Sequence, residues 1–381
     1  KTSVTVSKAW EDANDQDGKR PDSIEVQLLA NGKAYDEPVV LTESGNWTYT
    51  WSDLKEYSSG TLIEYTIEEI SKVPGYTTTI TGDAKVGFTI TNIHEPEKVS
   101  ITGEKTWNDA DDQDGKRPDS ITVNLLADGE KVDSKTVTIK DEWKYSFIDL
   151  PKYKEGKEIK YTVTEEPVKG YETKIEGYKI TNTHKPEVTE VSGTKTWVDA
   201  EDQDGKRPDS IKVNLLANGT KVNSVTVEPD KDGNWKYSFI NLPKYKEGKE
   251  IKYTVTEEPV KGYETKIEGY KITNTHTPEV TEVSVTKTWI DAEDQDGKRP
   301  DSIEVNLLAN GTKINSATVE PDKDGNWKYS FTNLPRYKEG KEIKYTVTEE
   351  AVEGYETKVE GYNITNTHIP EKTEVTGKKT W

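Results

Sequence analysis

The chain has 381 residues, carries 71 acidic against 52 basic side chains for a formal charge of -19, and contains neither cysteine nor methionine. A chain of that sign repels phosphate backbones and anionic lipid, which excludes nucleic-acid binding and membrane contact as expected functions. The missing thiols exclude a disulfide framework and thiolate metal sites.

Hydrophobic residues make up only 31% of the chain, a value close to disordered sequences, but 20 Tyr and 10 Trp point to small cores built from aromatics with Val and Ile. No apolar run is long enough to span a membrane, and no signal peptide is present. A chain opening at Lys1 is expected to be an internal fragment or processed product, with any secretion signal or anchor outside it.

The length predicts two to four domains, and internal repetition sets the number. The string DQDGKRPDSI occurs at 15–24, 112–121, 202–211 and 294–303, and a K-x-W tripeptide recurs at Lys8, Lys105, Lys195, Lys287 and Lys379. Such a long period gives each unit enough chain for its own core, unlike solenoid repeats. The predicted domains are residues 1–96, 97–186, 187–278 and 279–370, followed by an orphan first strand over 371–381.

In chain order, each unit opens with a strand ending in K-x-W and continues into the acidic loop. Next comes an alternating segment such as SIKVNLLANGTKV, whose Asn218-Gly219 suits a two-residue type I′ hairpin; Asn31-Gly32, Asp128-Gly129 and Asn310-Gly311 occupy the equivalent places. GNWKYSFINL and EIKYTVTEE supply further strands, and GYKITNTH the last. No window sustains helical periodicity, so the expected fold is an all-β, immunoglobulin-like sandwich repeated in tandem. The joints carry Pro96, Pro186, Pro278 and Pro370, which favour extended, semi-rigid connections and an elongated rod.

Strand parity then places three polar residues inside each unit, because alternate side chains share a face. In the first strand Val4, Val6, Lys8 and Trp10 lie together, as do Ile101, Lys105 and Trp107; Val191, Lys195 and Trp197; and Val283, Lys287 and Trp289. In the last strand Tyr178, Ile180, Asn182 and His184 share a face, with Asn92, Asn274 and Asn366 equivalent to Asn182. In the penultimate strand Ile159, Tyr161, Val163 and Glu165 align, with Glu257 and Glu349 equivalent. The first unit offers adjacent glutamates, and parity with Ile63, Tyr65 and Ile67 selects Glu69 over Glu68.

Two chemistries fit a buried lysine, glutamate and asparagine. One is an ion pair, which costs several kcal/mol of desolvation per ion and is offset only by excellent geometry, with the asparagine as a satisfied neighbour. The other is covalent. Burial lowers the pKa of an amine and raises that of a carboxylic acid. A neutral lysine can then attack the asparagine carboxamide, pass protons through glutamate and expel ammonia once, driven by proximity in a water-poor site.

The VTKTW lysine, the YTVTE box and the terminal ITNTH asparagine resemble the B-type domains of Gram-positive collagen adhesins, the Cna-B-like domains, over essentially the whole chain. That resemblance implies a prealbumin-like sandwich with Lys–Asn isopeptide bonds, here Lys8–Asn92, Lys105–Asn182, Lys195–Asn274 and Lys287–Asn366. Glu69, Glu165, Glu257 and Glu349 would be the assisting catalytic acids. The first unit departs from the pattern, reading VSKAW, YTIEE and ITNIH. The resemblance also implies a stalk on the bacterial cell surface, anchored to the cell wall outside this segment. Its partners would be other domains of the same protein and, through one of those, a host extracellular-matrix protein. An adhesive module and a pilus shaft subunit are the alternatives, although no YPK-like linkage motif is present.

A turnover enzyme is not expected: His94, His184, His276 and His368 take one strand-end position per unit and have no companion nucleophile. No cofactor and no metal is implied. Fitting DAEDQDGKRPDS to an EF-hand loop on Gly205 puts Ala200 and Ile211 at ligand positions, so that template fails and an Asx-rich turn is expected instead. Asn-x-Thr matches such as Asn218-Gly219-Thr220 are coincidental, and runs such as KYKEGKEIK read as solvated edges that discourage pairing. A monomer is expected.

Overall fold

The structure, a computed structural model, describes all residues from Lys1 to Trp381. The chain divides into two compact units, Lys1–Glu187 with Tyr245–Lys249, and Val188–Lys244 with Glu250–Trp381. It is all-β apart from two single 3₁₀ turns, and no helix is long and apolar enough to cross a membrane.

The strands of the first repeat are β1 (Thr2–Glu11), β2 (Ser23–Ala30), β3 (Lys33–Thr42), β4 (Thr48–Leu54), β5 (Tyr57–Ser58), β6 (Thr61–Leu62), β7 (Tyr65–Glu69), β8 (Thr77–Asp83) and β9 (Gly87–Ile93). They form a four-stranded sheet in the order β4-β1-β9-β8, a three-stranded sheet in the order β3-β2-β7, and the small hairpin β5-β6. The other repeats reproduce both sheets, so each is an immunoglobulin-like sandwich. The core lies between the sheets and contains Val4, Val6, Ile24, Val26, Leu28 and Ile90 in the first repeat. Both residues of each hairpin turn have positive φ (Asn218 50° and Gly219 84°), as the type I′ turn requires.

First and last strands of a repeat are parallel neighbours, although most of the repeat separates them in sequence. Lys8 stands opposite Ile90 and Trp10 opposite Asn92; Lys105 stands opposite Ile180 and Trp107 opposite Asn182. Lysine and asparagine are therefore one same-face step apart on adjacent strands.

The acidic loop is closed by its own side chains. Arg20 grips Asp12 with two nitrogens at 2.6 and 3.0 Å, and the Arg20 amide donates to Asp15. Against the penalty of burial, the Arg20 and Tyr76 hydrogen bonds and the Asp15 amide hold Asp12 down at about 2.

The charged hairpin of the next repeat does more than face solvent. In the first unit the Glu97 amide donates to Asp17 and its carbonyl accepts from the Lys152 amide. The Glu97 carboxylate meets Lys19 at 2.6 Å and Lys152 at 3.0 Å. A Cβ on Gly18 would lie 2.6 Å from Gly156 Cα, so glycine permits that approach. In the second unit Glu279 is held in the same way by Asp204, Lys206 and Arg336. The solvated-edge expectation for this segment is therefore incomplete: it also seats the linker.

Candidate functional site

β1 delivers Lys8 to the core because Val4 and Val6, on the same face, are fully buried beside it. In the equivalent strands Lys105, Lys195 and Lys287 are between 5% and 7% exposed, and all four asparagines (Asn92, Asn182, Asn274 and Asn366) are 0% exposed. The glutamates arrive from the opposite sheet, where Glu69 pairs with Val26 and Glu165 with Val123.

In repeats 2 to 4 the lysine donates to its glutamate. Lys105 Nζ lies 2.8 Å from Glu165 Oε1, Lys195 Nζ 2.8 Å from Glu257 Oε1, and Lys287 Nζ 2.6 Å from Glu349 Oε1. Both side chains of the Lys105 and Lys195 pairs have no exposed surface. Both amide atoms of Asn182, Asn274 and Asn366 are buried without a hydrogen-bond partner.

Repeat 1 is arranged differently. Lys8 Nζ donates to the Ala9 carbonyl at 2.9 Å, and Asn92 Nδ2 donates to Glu69 Oε1 at 3.0 Å. The structure brings the twelve expected residues together at four sites, with Glu69 beside Asn92 and its neighbour Glu68 exposed. Strand parity could not foresee which partner Oε1 would take.

Burial dominates the electrostatics. Desolvation lowers all four lysines, Lys8 to about 8, against the opposing pull of the neighbouring carboxylates. Each ammonium also lies over the tryptophan two residues on, 3.8 Å from the ring centre for Lys8 and 4.1 Å for Lys105. Trp10 is packed edge-on by Trp47 and Tyr76, and Tyr76 abuts His94. Trp10, backed by Trp47 and Tyr76, covers the Lys8 amine, and Lys8 is 7% exposed.

One participant was missed in the sequence. Thr78 Oγ1 donates to Glu69 Oε2 at 2.8 Å, and Thr173, Thr265 and Thr357 do the same to Glu165, Glu257 and Glu349 at 2.9, 2.9 and 3.0 Å. The available signal was positional: in the YET of repeats 2 to 4, and at the second threonine after Tyr76, a threonine follows the glutamate at a nearly fixed offset. The arrangement can pass a proton from lysine to glutamate and on to the carboxamide. It offers no metal cluster.

The sequence pattern of the Cna protein B-type domain matches this chain four times, at residues 4–93, 101–183, 191–275 and 283–367. A collagen adhesin of Staphylococcus aureus is 48% identical over 386 residues, an alignment covering 100% of this chain and 32% of that protein, so the chain spans about a third of its relative. The crystal structure of two B repeat units (B1B2) of the collagen binding protein of Staphylococcus aureus is 42% identical, covering 96% of this chain and 98% of that one, with a TM-score of 0.45. The single B repeat unit (B1) of the same organism's collagen binding surface protein is 46% identical, covering 48% of this chain and 100% of that one, with a TM-score of 0.23. With four matched segments that together take in most of its length, the chain belongs to the Cna protein B-type domain family.

Proposed function

We propose that each repeat closes one amide bond between its lysine and asparagine with help from its glutamate, and that the chain is a covalently hardened stalk of a Gram-positive surface adhesin. The bonds are Lys8–Asn92, Lys105–Asn182, Lys195–Asn274 and Lys287–Asn366. Anchoring to the cell wall and contact with a host matrix protein fall to regions outside residues 1–381.

The asparagine carries this reading. A structural ion pair explains a buried lysine and glutamate, but then the asparagine should be a satisfied neighbour. Asn182, Asn274 and Asn366 are instead fully buried with both amide atoms unpaired, each unmade bond costing about 1–3 kcal/mol. A carboxamide waiting to react accounts for that cost.

The chemistry balances. Lysine hands a proton to Oε1 and becomes a neutral amine; Nζ attacks Asn Cγ; the protonated glutamate passes that proton to Nδ2, and its carboxylate then takes the second proton that Nζ must lose, which the departing ammonia carries off as ammonium. The Cγ–Nδ2 bond breaks, one ammonia leaves, and a Cγ–Nζ amide remains. Each site works once and is not an enzyme of turnover.

The mechanical consequence follows from parallel pairing. Tension entering at the start of β1 and leaving at the end of β9 shears these neighbours along their length. A bond from Lys8 to Asn92 takes that load and shelters everything between them. The bridge also closes a loop of about 80 residues, worth about 4 kcal/mol in a chain-entropy account.

Intact-mass measurement of the purified chain tests the bond directly: four ammonias should be missing, and the mass of the unmodified chain would end the proposal. Binding of the same chain to matrix proteins tests the stalk. Saturable, tight binding would make it an adhesive module instead.

A further inference from the structure

We propose that the edge-strand threonine facing each asparagine is the positioning residue of the reaction, holding glutamate Oε2 so that Oε1 alone carries the proton. This rests on the cross-link reading above. Thr78 is the direct cross-strand neighbour of Asn92, and Thr173, Thr265 and Thr357 hold the same register against Asn182, Asn274 and Asn366. Each hydroxyl reaches over the last strand to a glutamate of the other sheet.

The four sites differ at one glutamate oxygen and agree at the other. Oε2 accepts from threonine in every repeat. Oε1 meets Lys105, Lys195 and Lys287 in three repeats and Asn92 Nδ2 in the fourth. Those are the two ends of the proton's path, the attacking amine and the leaving amide nitrogen. One oxygen reaches both, from a carboxylate pinned at the other. A free carboxylate would swing its two oxygens between these partners; the threonine removes that rotation and leaves Oε1 as the single relay.

Threonine is also common on β edges for its propensity alone, and that bland explanation predicts no effect of the hydroxyl. The test uses the full chain made by cell-free synthesis and chased at several pH values, with cross-linked peptides of each repeat counted by mass spectrometry. Thr265→Val keeps the shape and removes the donor; Thr265→Ser restores it. Repeat 3 should close about 10- to 100-fold more slowly in Thr265→Val, as expected for losing a hydrogen bond to a charged group. Its pH profile should change, repeats 1, 2 and 4 should keep their pace, and Thr265→Ser should restore rate and profile.

The same two substitutions at Thr357 report on repeat 4 independently, should Val disturb folding at one position. An unaltered rate and pH profile in both Val variants overturns the threonine's role while leaving the cross-link standing. A slowed rate that Ser fails to rescue also overturns it. If no repeat of the unaltered chain loses ammonia, the cross-link reading itself falls, and the threonine's role with it.

Discussion

Glu165 and Glu166 are chain neighbours on opposite faces, and each meets a lysine and accompanies an asparagine. Glu165 pairs with Lys105 at 2.8 Å, both side chains at 0% exposure, in the core site of Asn182. Glu166 accepts from Asn124 at 2.7 Å and lies 3.8 Å from Lys131, with side chains 55% and 53% exposed. Glu258 with Asn214 and Lys221, and Glu350 with Asn306 and Lys313, repeat the outer set. The residue types match, but the outer lysine and glutamate are exposed, and the outer asparagine, though buried, spends its amide on the glutamate.

The outer lysines Lys131, Lys221 and Lys313 are 53%, 50% and 52% exposed, so no water-poor site drives them onto a carboxamide. The expected number of lost ammonias is therefore four, one per repeat, and peptide mapping should find Lys131, Lys221 and Lys313 unmodified. A loss of seven would show that residue identity, without burial, suffices.

Glu257→Gln tests the acid with little change of shape. Glutamine cannot accept the lysine proton, so repeat 3 should regain one ammonia by intact mass. Losing the bridge removes about 4 kcal/mol by the loop-entropy account, which corresponds to a fall of about 15 to 30 °C in the melting of that repeat. Calorimetry should show a separate, lower transition. Unchanged mass and melting would remove Glu257 from the reaction.

Much of the site was legible because a strand has period two. Val4 and Val6 fix the face of β1, and Lys8 follows; Ile63, Tyr65 and Ile67 fix Glu69; Ile180 fixes Asn182. What parity does not carry is contact across the sandwich or between repeats. Thr173 lies on an exposed edge strand, where threonine is an ordinary occupant, and only the packing of one sheet on the other brings it to Glu165. The approach of Gly18 to Gly156 joins segments of different repeats and leaves no periodic trace. The turn of Lys8 toward Ala9 is a rotamer choice that the sequence does not record.

Gly103 marks a second choice invisible to parity. It occupies the place of Val6 and Val285, and a Cβ there would collide with the Tyr145 hydroxyl and the Tyr178 carbonyl. Tyr145 is buried and donates to the Tyr178 carbonyl at 2.5 Å, whereas Tyr329, opposite Val285, is 39% exposed. Gly193 and Tyr237 repeat the buried arrangement.

Gly103→Val should thus expel Tyr145 to the surface and cost about 1–3 kcal/mol of overpacking. Burial, then Tyr178 and Glu165, push the Tyr145 phenol up to about 12. The variant should bring one more tyrosine into the ordinary range in a spectrophotometric titration. No change in the titration would mean that the backbone, and not the ring, gives way.

His94 faces acceptors only: Nδ1 lies 2.8 Å from the Gly75 carbonyl and Nε2 2.9 Å from Asp17 Oδ2. Only the doubly protonated ring can donate to both. The Asp17 hydrogen bond, against some desolvation and with help from Gly75, raises His94 above its ordinary 6.5, and nearby Lys19 opposes the shift. A raised folded value contributes stability that is complete below 6.5 and is lost as pH climbs through the folded pKa.

Because Asp17 Oδ2 also holds the Glu97 amide, deprotonation should loosen the linker as well as the repeat. An NMR titration of His94 should show its midpoint above 6.5. Proteolysis between residues 94 and 98 should quicken across the same interval. His94→Gln should abolish both pH dependences, since glutamine gains no charge. A midpoint at or below 6.5 would leave His94 a neutral strand-end residue and detach the linker's stability from pH.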